Sequence, residues 1–313
     1  LWYALIVISV AVFLAGVFLL RRKYARGHSL APFDRPGTRT LRAARIVLTH
    51  AWIRRRDTGT GLGHLAVFYG FLVLFAGTAI LAFQDDFAKP VLGWDFWRGE
   101  FYLGYSLFLD VFGAALVAGL VVLAVKRWIQ RPARLDYARP DREEDRSRYR
   151  AGDRAFVFFL FFLALTGFLL EALRIAADRP DFEVWSPFGW LLGNGFRSLG
   201  LEGGGADDAR LVTWWVHGVV ALGFVASIPY TKAVHMLAGP VNVAVRDERA
   251  GRRLPELPPG AKAADVGYGL VTDLSWQHLL SLDSCTKCGK CHEACPANAT
   301  GYPLSPRDLI LDL

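Results

Sequence analysis

Four cysteines fall in one run, Cys285-Thr-Lys-Cys288-Gly-Lys-Cys291-His-Glu-Ala-Cys295-Pro296, and the 313 residues contain no others. The spacing is C-x2-C-x2-C-x3-C-P, with which bacterial proteins hold [4Fe–4S] cubes: three thiolates bind one cube and the fourth ligates a second. A structural zinc site favours two separated pairs and has no use for the third close cysteine and trailing proline. Cys285, Cys288 and Cys291 are therefore expected to bind one cube. Cys295 calls for a second cube, whose remaining ligands this sequence does not supply. With no cysteine left for a disulfide, the pattern favours a cluster site in a reducing compartment. His292, inside the run, is expected to be solvated.

A second set of groups able to do chemistry is histidine in apolar surroundings. His64 opens one apolar stretch, and His217 and His235 lie near opposite ends of another. On a continuous helix their 18-residue spacing is five turns, about 27 Å, and puts both on one face. Inward histidines on facing helices suit the axial ligation of haem, so this spacing is expected to serve one or two haem b groups. His64 and His235 fall at similar depth and form the expected inner pair. His217 needs another partner. His50 lies 14 residues before His64 and is in phase with it only if the helix continues, which the intervening Arg54, Arg55, Arg56 and Gly61 argue against. The choices are His50 with His235 and His64 with His217, a non-histidine ligand for His217, or a quinone role for it.

The elements that must position these groups are membrane spans. The chain is 53% hydrophobic, and its mean hydropathy of +0.28 comes from long apolar runs between charged stretches. Five runs reach the roughly 20 residues a bilayer crossing needs: 1–20, 62–83, 101–124, 156–172 and 211–237. The net charge of +7 is topological and does not indicate nucleic acid binding. Eleven Lys and Arg lie in 21–61 and ten in 126–154, against two and four in the other connections. This asymmetry predicts an inner-membrane, multi-pass protein with its N-terminus outside and the cysteines cytoplasmic. Trp94, Trp97, Trp185, Trp190, Trp214 and Trp215 cluster near the outer face. Residues 38–56 are expected to form a basic amphipathic helix in the inner interface, and 178–210 to cap the outer mouth. Neither end of the sequence has the character of a natural terminus.

Charges inside apolar runs are costly and mark possible function. Asp110 and Glu171, with Arg174 beside the latter, are the expected proton-carrying groups of a quinone site, against the simpler reading of helix-to-helix pairing. Lys232 is expected to snorkel inward or to meet a haem propionate.

The stretches Val216-His217-Gly218, Ser227-Ile228-Pro229-Tyr230 and Val234-His235-Met236 are similar to the last span of the nitrate reductase gamma subunit, a di-haem quinol-oxidising cytochrome b. In that family two histidines on an earlier span oppose the last-span pair. Here the second span carries only His64, which departs from the pattern. Asp273 to His278, Asp283 to Cys285, and Gly301-Tyr302-Pro303-Leu304-Ser305-Pro306 resemble the heterodisulfide-reductase-related iron–sulfur proteins. Among these, the chain looks most like the electron transfer flavoprotein:menaquinone oxidoreductase type.

The resemblance implies an all-α membrane protein: a five-helix transmembrane haem b bundle over 1–240, a cytoplasmic linker at 241–272, and at 273–313 the start of a two-cluster ferredoxin-like module. It also implies a quinone-linked oxidoreductase in the lipid bilayer, passing electrons between a cytoplasmic electron transfer flavoprotein, or other redox subunits, and menaquinone. Two alternatives stand beside it. One is a quinol-oxidising subunit feeding a heterodisulfide-reductase-like or sulfur-metabolism complex. The other is an electron-conducting anchor with no substrate site.

Overall fold

The computed structural model describes residues 1–28, 34–138, 146–248, 260, 262 and 267–313. Residues 249–259, 261 and 263–266 of the expected linker at 241–272 lie outside the described residues. The described chain is helical, with one isolated parallel bridge between His28 and Ser275. Among the described residues, five stretches are long and apolar enough to cross a membrane: Trp2–Tyr24, Thr58–Leu92, Gly99–Gln130, Ser147–Asp178 and Gly203–Tyr230.

In chain order the helices are α1 (Trp2–Tyr24), α2 (Pro36–Thr49), α3 (Ala51–Arg56), α4 (Thr58–Phe83), α5 (Lys89–Leu92), α6 (Gly99–Ala124) and α7 (Ser147–Asp178). They continue with α8 (Pro187–Ser198), α9 (Gly203–Ser227), α10 (His235–Val245), α11 (Trp276–Asp283), α12 (Lys290–Glu293), α13 (Pro296–Ala299) and α14 (Pro306–Asp312). Tertiary contacts divide them into two compact units that do not follow chain order. One unit comprises 50–131 and 154–224; the other comprises 1–49, 132–153 and 225–313.

In the first unit, α4 and α6 pack through small residues. Gly63, Gly70 and Gly77 recur every seven residues along α4 and are buried. A Cβ at Gly70 would lie 2.7 Å from Leu116 Cβ, and one at Gly119 would lie 2.5 Å from the Gly63 carbonyl oxygen. Backbones approach this closely in lipid because dispersion contacts, not water exclusion, hold apolar helices together there. Asp57 accepts from Thr60 N at 3.0 Å and so caps α4, while Lys126 donates to it at 2.7 Å. That cap stops any continuous helix from His50 to His64. His50 itself has φ 51 and separates α2 from α3, so the expected helix over 38–56 is two helices.

At the other end of this unit, α8 is held against α7. Asp110 accepts from Phe188 N at 2.9 Å and Gly189 N at 3.0 Å, which satisfies the first amides of α8. Arg197 donates to the Ala176 carbonyl at 2.6 Å.

The expected fifth span is not one helix. α9 ends at Ser227, two 3₁₀ turns cover Ile228–Tyr230 and Lys232–Val234, and α10 begins at His235. Pro229 lacks the N–H needed to continue α9, and Thr231 is extended at φ −124 and ψ −178. The five-turn phase between His217 and His235 is therefore broken.

In the second unit, α1 meets the turn that ends α9. Tyr230 donates to the Val12 carbonyl at 2.9 Å, and a Cβ at Gly16 would strike Pro229 and the Tyr230 ring. The lower end of α1 is tied to α11: Lys23 and Tyr24 both donate to Asp283, at 2.8 and 2.7 Å.

Candidate functional site

The cysteine run forms a tight loop between α11 and α13. Lys287 at φ 59 and Gly289 at φ 71 flank Cys288 in the left-handed region, which curls the backbone around this segment. A Cβ at Gly289 would lie 2.0 Å from the Arg134 carbonyl oxygen, so glycine is required there for space as well as for φ. Partial burial, and then the nearness of the Cys285 and Cys288 thiols, push the Cys291 thiol above its ordinary value. Cys295 points at the Leu304 carbonyl, 3.9 Å away. All four are free of disulfides. Two thiols near that of Cys291 and a fourth turned aside fit the division of ligands between two cubes. Among the described residues no three His, Cys, Asp or Glu side chains close on a single-ion position. A cube spaces its thiolates wider than a zinc ion, which sits about 2.3 Å from each sulfur.

Residues 132–138 and 146–153 form the platform under this loop. Arg307 donates to the Arg134 and Asp136 carbonyls at 2.9 and 2.6 Å, and Arg146 donates to Asp308 at 2.8 Å. Lys287 lies over the Tyr149 ring at 4.4 Å. The Tyr137 hydroxyl is within 3.3 Å of the Lys287 carbonyl and donates to Asp153 at 2.8 Å. Asp153 also pairs with Lys232, so a buried carboxylate holds that ammonium. His292 is likewise not simply solvated, because its Nδ1 lies 2.7 Å from Ser305 Oγ.

Ring nitrogens of His50, His64, His217 and His235 are engaged within the chain. His235 Nδ1 donates to the Lys232 carbonyl at 2.6 Å, which places the ring lone pair on Nε2. In the other unit, the Thr166 hydroxyl gives its proton to the Phe162 carbonyl at 2.7 Å and so accepts from His217 Nδ1 at 2.8 Å. The same tautomer results. His50 Nε2 and His64 Nδ1 lie 2.9 Å apart, which puts these two rings at one level. Glu171 and Arg174 do not pair with each other. Arg174 binds Glu183, which also accepts from Tyr102 at 2.7 Å, and Glu171 packs against Gly189 beside Asp110. Tyr137, Asp153 and Glu183 escaped sequence reasoning; a buried acid in an otherwise basic or apolar stretch was the available signal.

Residues 280–299 match the family model described as a 4Fe-4S binding domain. The chain carries a 4Fe-4S binding domain. It is 33% identical, over 80% of its length, to the EtfAB:quinone oxidoreductase of Syntrophomonas wolfei subsp. wolfei. It is 27% identical, over 99% of its length, to the probable iron-sulfur-binding oxidoreductase FadF of Bacillus subtilis. The chain spans 34% and 42% of those two proteins. A shorter match, 42% over 50 residues, links 16% of the chain to 8% of a probable membrane-anchored ferredoxin of Chromohalobacter salexigens. No solved structure matches. This multi-pass helical protein is thus related to iron–sulfur oxidoreductases.

Proposed function

We propose that this chain is the membrane and first-cluster part of an oxidoreductase that passes electrons from a cytoplasmic electron transfer flavoprotein to menaquinone. One observation carries the reading: a single compact unit contains both the cysteine loop and His235, bridged by Tyr137, Asp153 and Lys232. The name of the Syntrophomonas relative supports the choice of donor and acceptor. Cys285, Cys288 and Cys291 would hold one [4Fe–4S] cube, and Cys295 would ligate a second. His64, His235, His217 and His50 are the residues that would hold one or two haem b groups. These groups supply one-electron transfer, which links a flavin donor to a quinone.

The chain's own residues position and shield that path. Lys232 and Asp153 fix the turn that presents His235, and Tyr137 couples the same carboxylate to the cluster loop. Asp110 and Glu171 are proposed proton carriers on the outer side. The Lys and Arg asymmetry supports an outside N-terminus and a cytoplasmic cluster loop.

The test is anaerobic reduction of a menaquinone analogue by reduced electron transfer flavoprotein, using the full-length protein in nanodiscs. Turnover that collapses in Cys288→Ser supports the reading, and turnover indifferent to that change overturns it. Asp110→Asn and Glu171→Gln should slow quinone reduction while leaving reduction of the clusters by the flavoprotein intact.

A further inference from the structure

The second unit contains an apolar slot of about 450 Å³, within the range of roughly 300–1,000 Å³ typical of small-molecule pockets. Its walls include Val17 and Leu20 from α1, Leu237 and Val241 from α10, and Trp276 and Leu280 from α11. We propose that this slot binds the ring of an isoprenoid quinone. The proposal rests on the function argued above and adds a quinone position, at the inner end of α1, to the one proposed for Asp110 and Glu171.

Position argues for a redox ligand. Val234, a lining residue, directly precedes His235, and Leu280 stands five residues before Cys285. An occupant would therefore lie next to the backbone that carries both sets of candidate redox ligands. The lining also argues for an amphipathic one. Nearly all of it is hydrocarbon, and the polar exceptions are Arg21 and Tyr24. Tyr24 is committed to Asp283, which fixes α1 against α11 and holds the slot open. The Arg21 guanidinium has no hydrogen bond or ion pair among the described residues, so it can donate to a quinone carbonyl oxygen. Arg21, Arg22 and Lys23 close α1, as basic residues do at an inner membrane interface, where a lipid-soluble molecule has access. The Gly27 backbone lies so close to Trp276 that a Cβ would be 2.5 Å from its amide nitrogen, which closes one end of the slot.

A photoreactive azido-naphthoquinone, applied to the full-length protein in nanodiscs, tests this. The expected result is labelling of peptides containing Val17–Gly27, Leu237–Val241 or Trp276–Leu280, displaced by excess menaquinone and not by phosphatidylglycerol. Ala238→Phe, which fills the slot, should abolish labelling. Arg21→Gln should weaken it by about tenfold or more, the loss of one charged hydrogen bond, with the cluster's electron paramagnetic resonance signal retained in both. If Ala238→Phe loses that signal, Arg21→Gln alone decides. Labelling confined to the Asp110 and Glu171 region, or displaced equally by phosphatidylglycerol, overturns the slot. Flavoprotein-driven quinone reduction with labelling outside the slot removes the slot and leaves the proposed function standing. Labelling in the slot without such reduction does the converse.

Discussion

At the residue scale the cysteines are not equivalent. The Cys291 thiol lies near those of Cys285 and Cys288, while Cys295 turns toward Leu304. Serine at any of the first three should therefore remove the first cube's signal. Cys295→Ser should leave that signal and remove one belonging to a second cube, as measured by iron and sulfide content with electron paramagnetic resonance. The buried Asp153 offers a second test. It holds both Lys232 and Tyr137, so Asp153→Ala strands a partly buried ammonium and should cost about 3 kcal/mol, read as a lowered midpoint of thermal unfolding in detergent. The cysteine motif was legible because its chemistry is local. The platform was not, because Tyr137 and Lys287 are joined across 150 residues, and no spacing rule reaches that far.

At the element scale, small residues and caps set the packing. Gly70→Val puts branched carbon where Leu116 Cβ and the Phe112 carbonyl are already within 2.7 Å, and should destabilise the α4 and α6 pair by about 1–3 kcal/mol through overpacking. Asp57 gives a pH-dependent case. The Lys126 ammonium, and then the Thr60 amide, hold its carboxyl well below the usual carboxylate range. A depressed folded-state value stabilises above the unfolded value of about 3.9 and fades as pH falls toward the lowered one. Asp57→Ala should thus cost about 1 kcal/mol at neutral pH, and the gap to the parent protein should narrow steadily as pH drops below about 4. The helices themselves were legible from apolar length. The break at 228–234 was not, since Ile228, Pro229 and Tyr230 sustain the apolar run while Pro229 removes the backbone donor that a hydropathy window never sees.

At the scale of the whole molecule, composition revealed a multi-pass helical protein carrying an iron–sulfur loop. The grouping of 1–49 and 132–153 with 225–313 was hidden, because it depends on ion pairs such as Arg146 with Asp308 and Lys23 with Asp283. Those contacts make one unit of the cluster loop, the end of α1 and the turn before His235. A soluble donor should therefore reduce a group held by that turn. Mixing reduced electron transfer flavoprotein with the oxidised full-length protein under anaerobic conditions, while following the visible spectrum, tests it most directly. A reduced b-type haem band is expected, and it should fail to form in Cys288→Ser. No such band, or a band that forms equally well in Cys288→Ser, would contradict it.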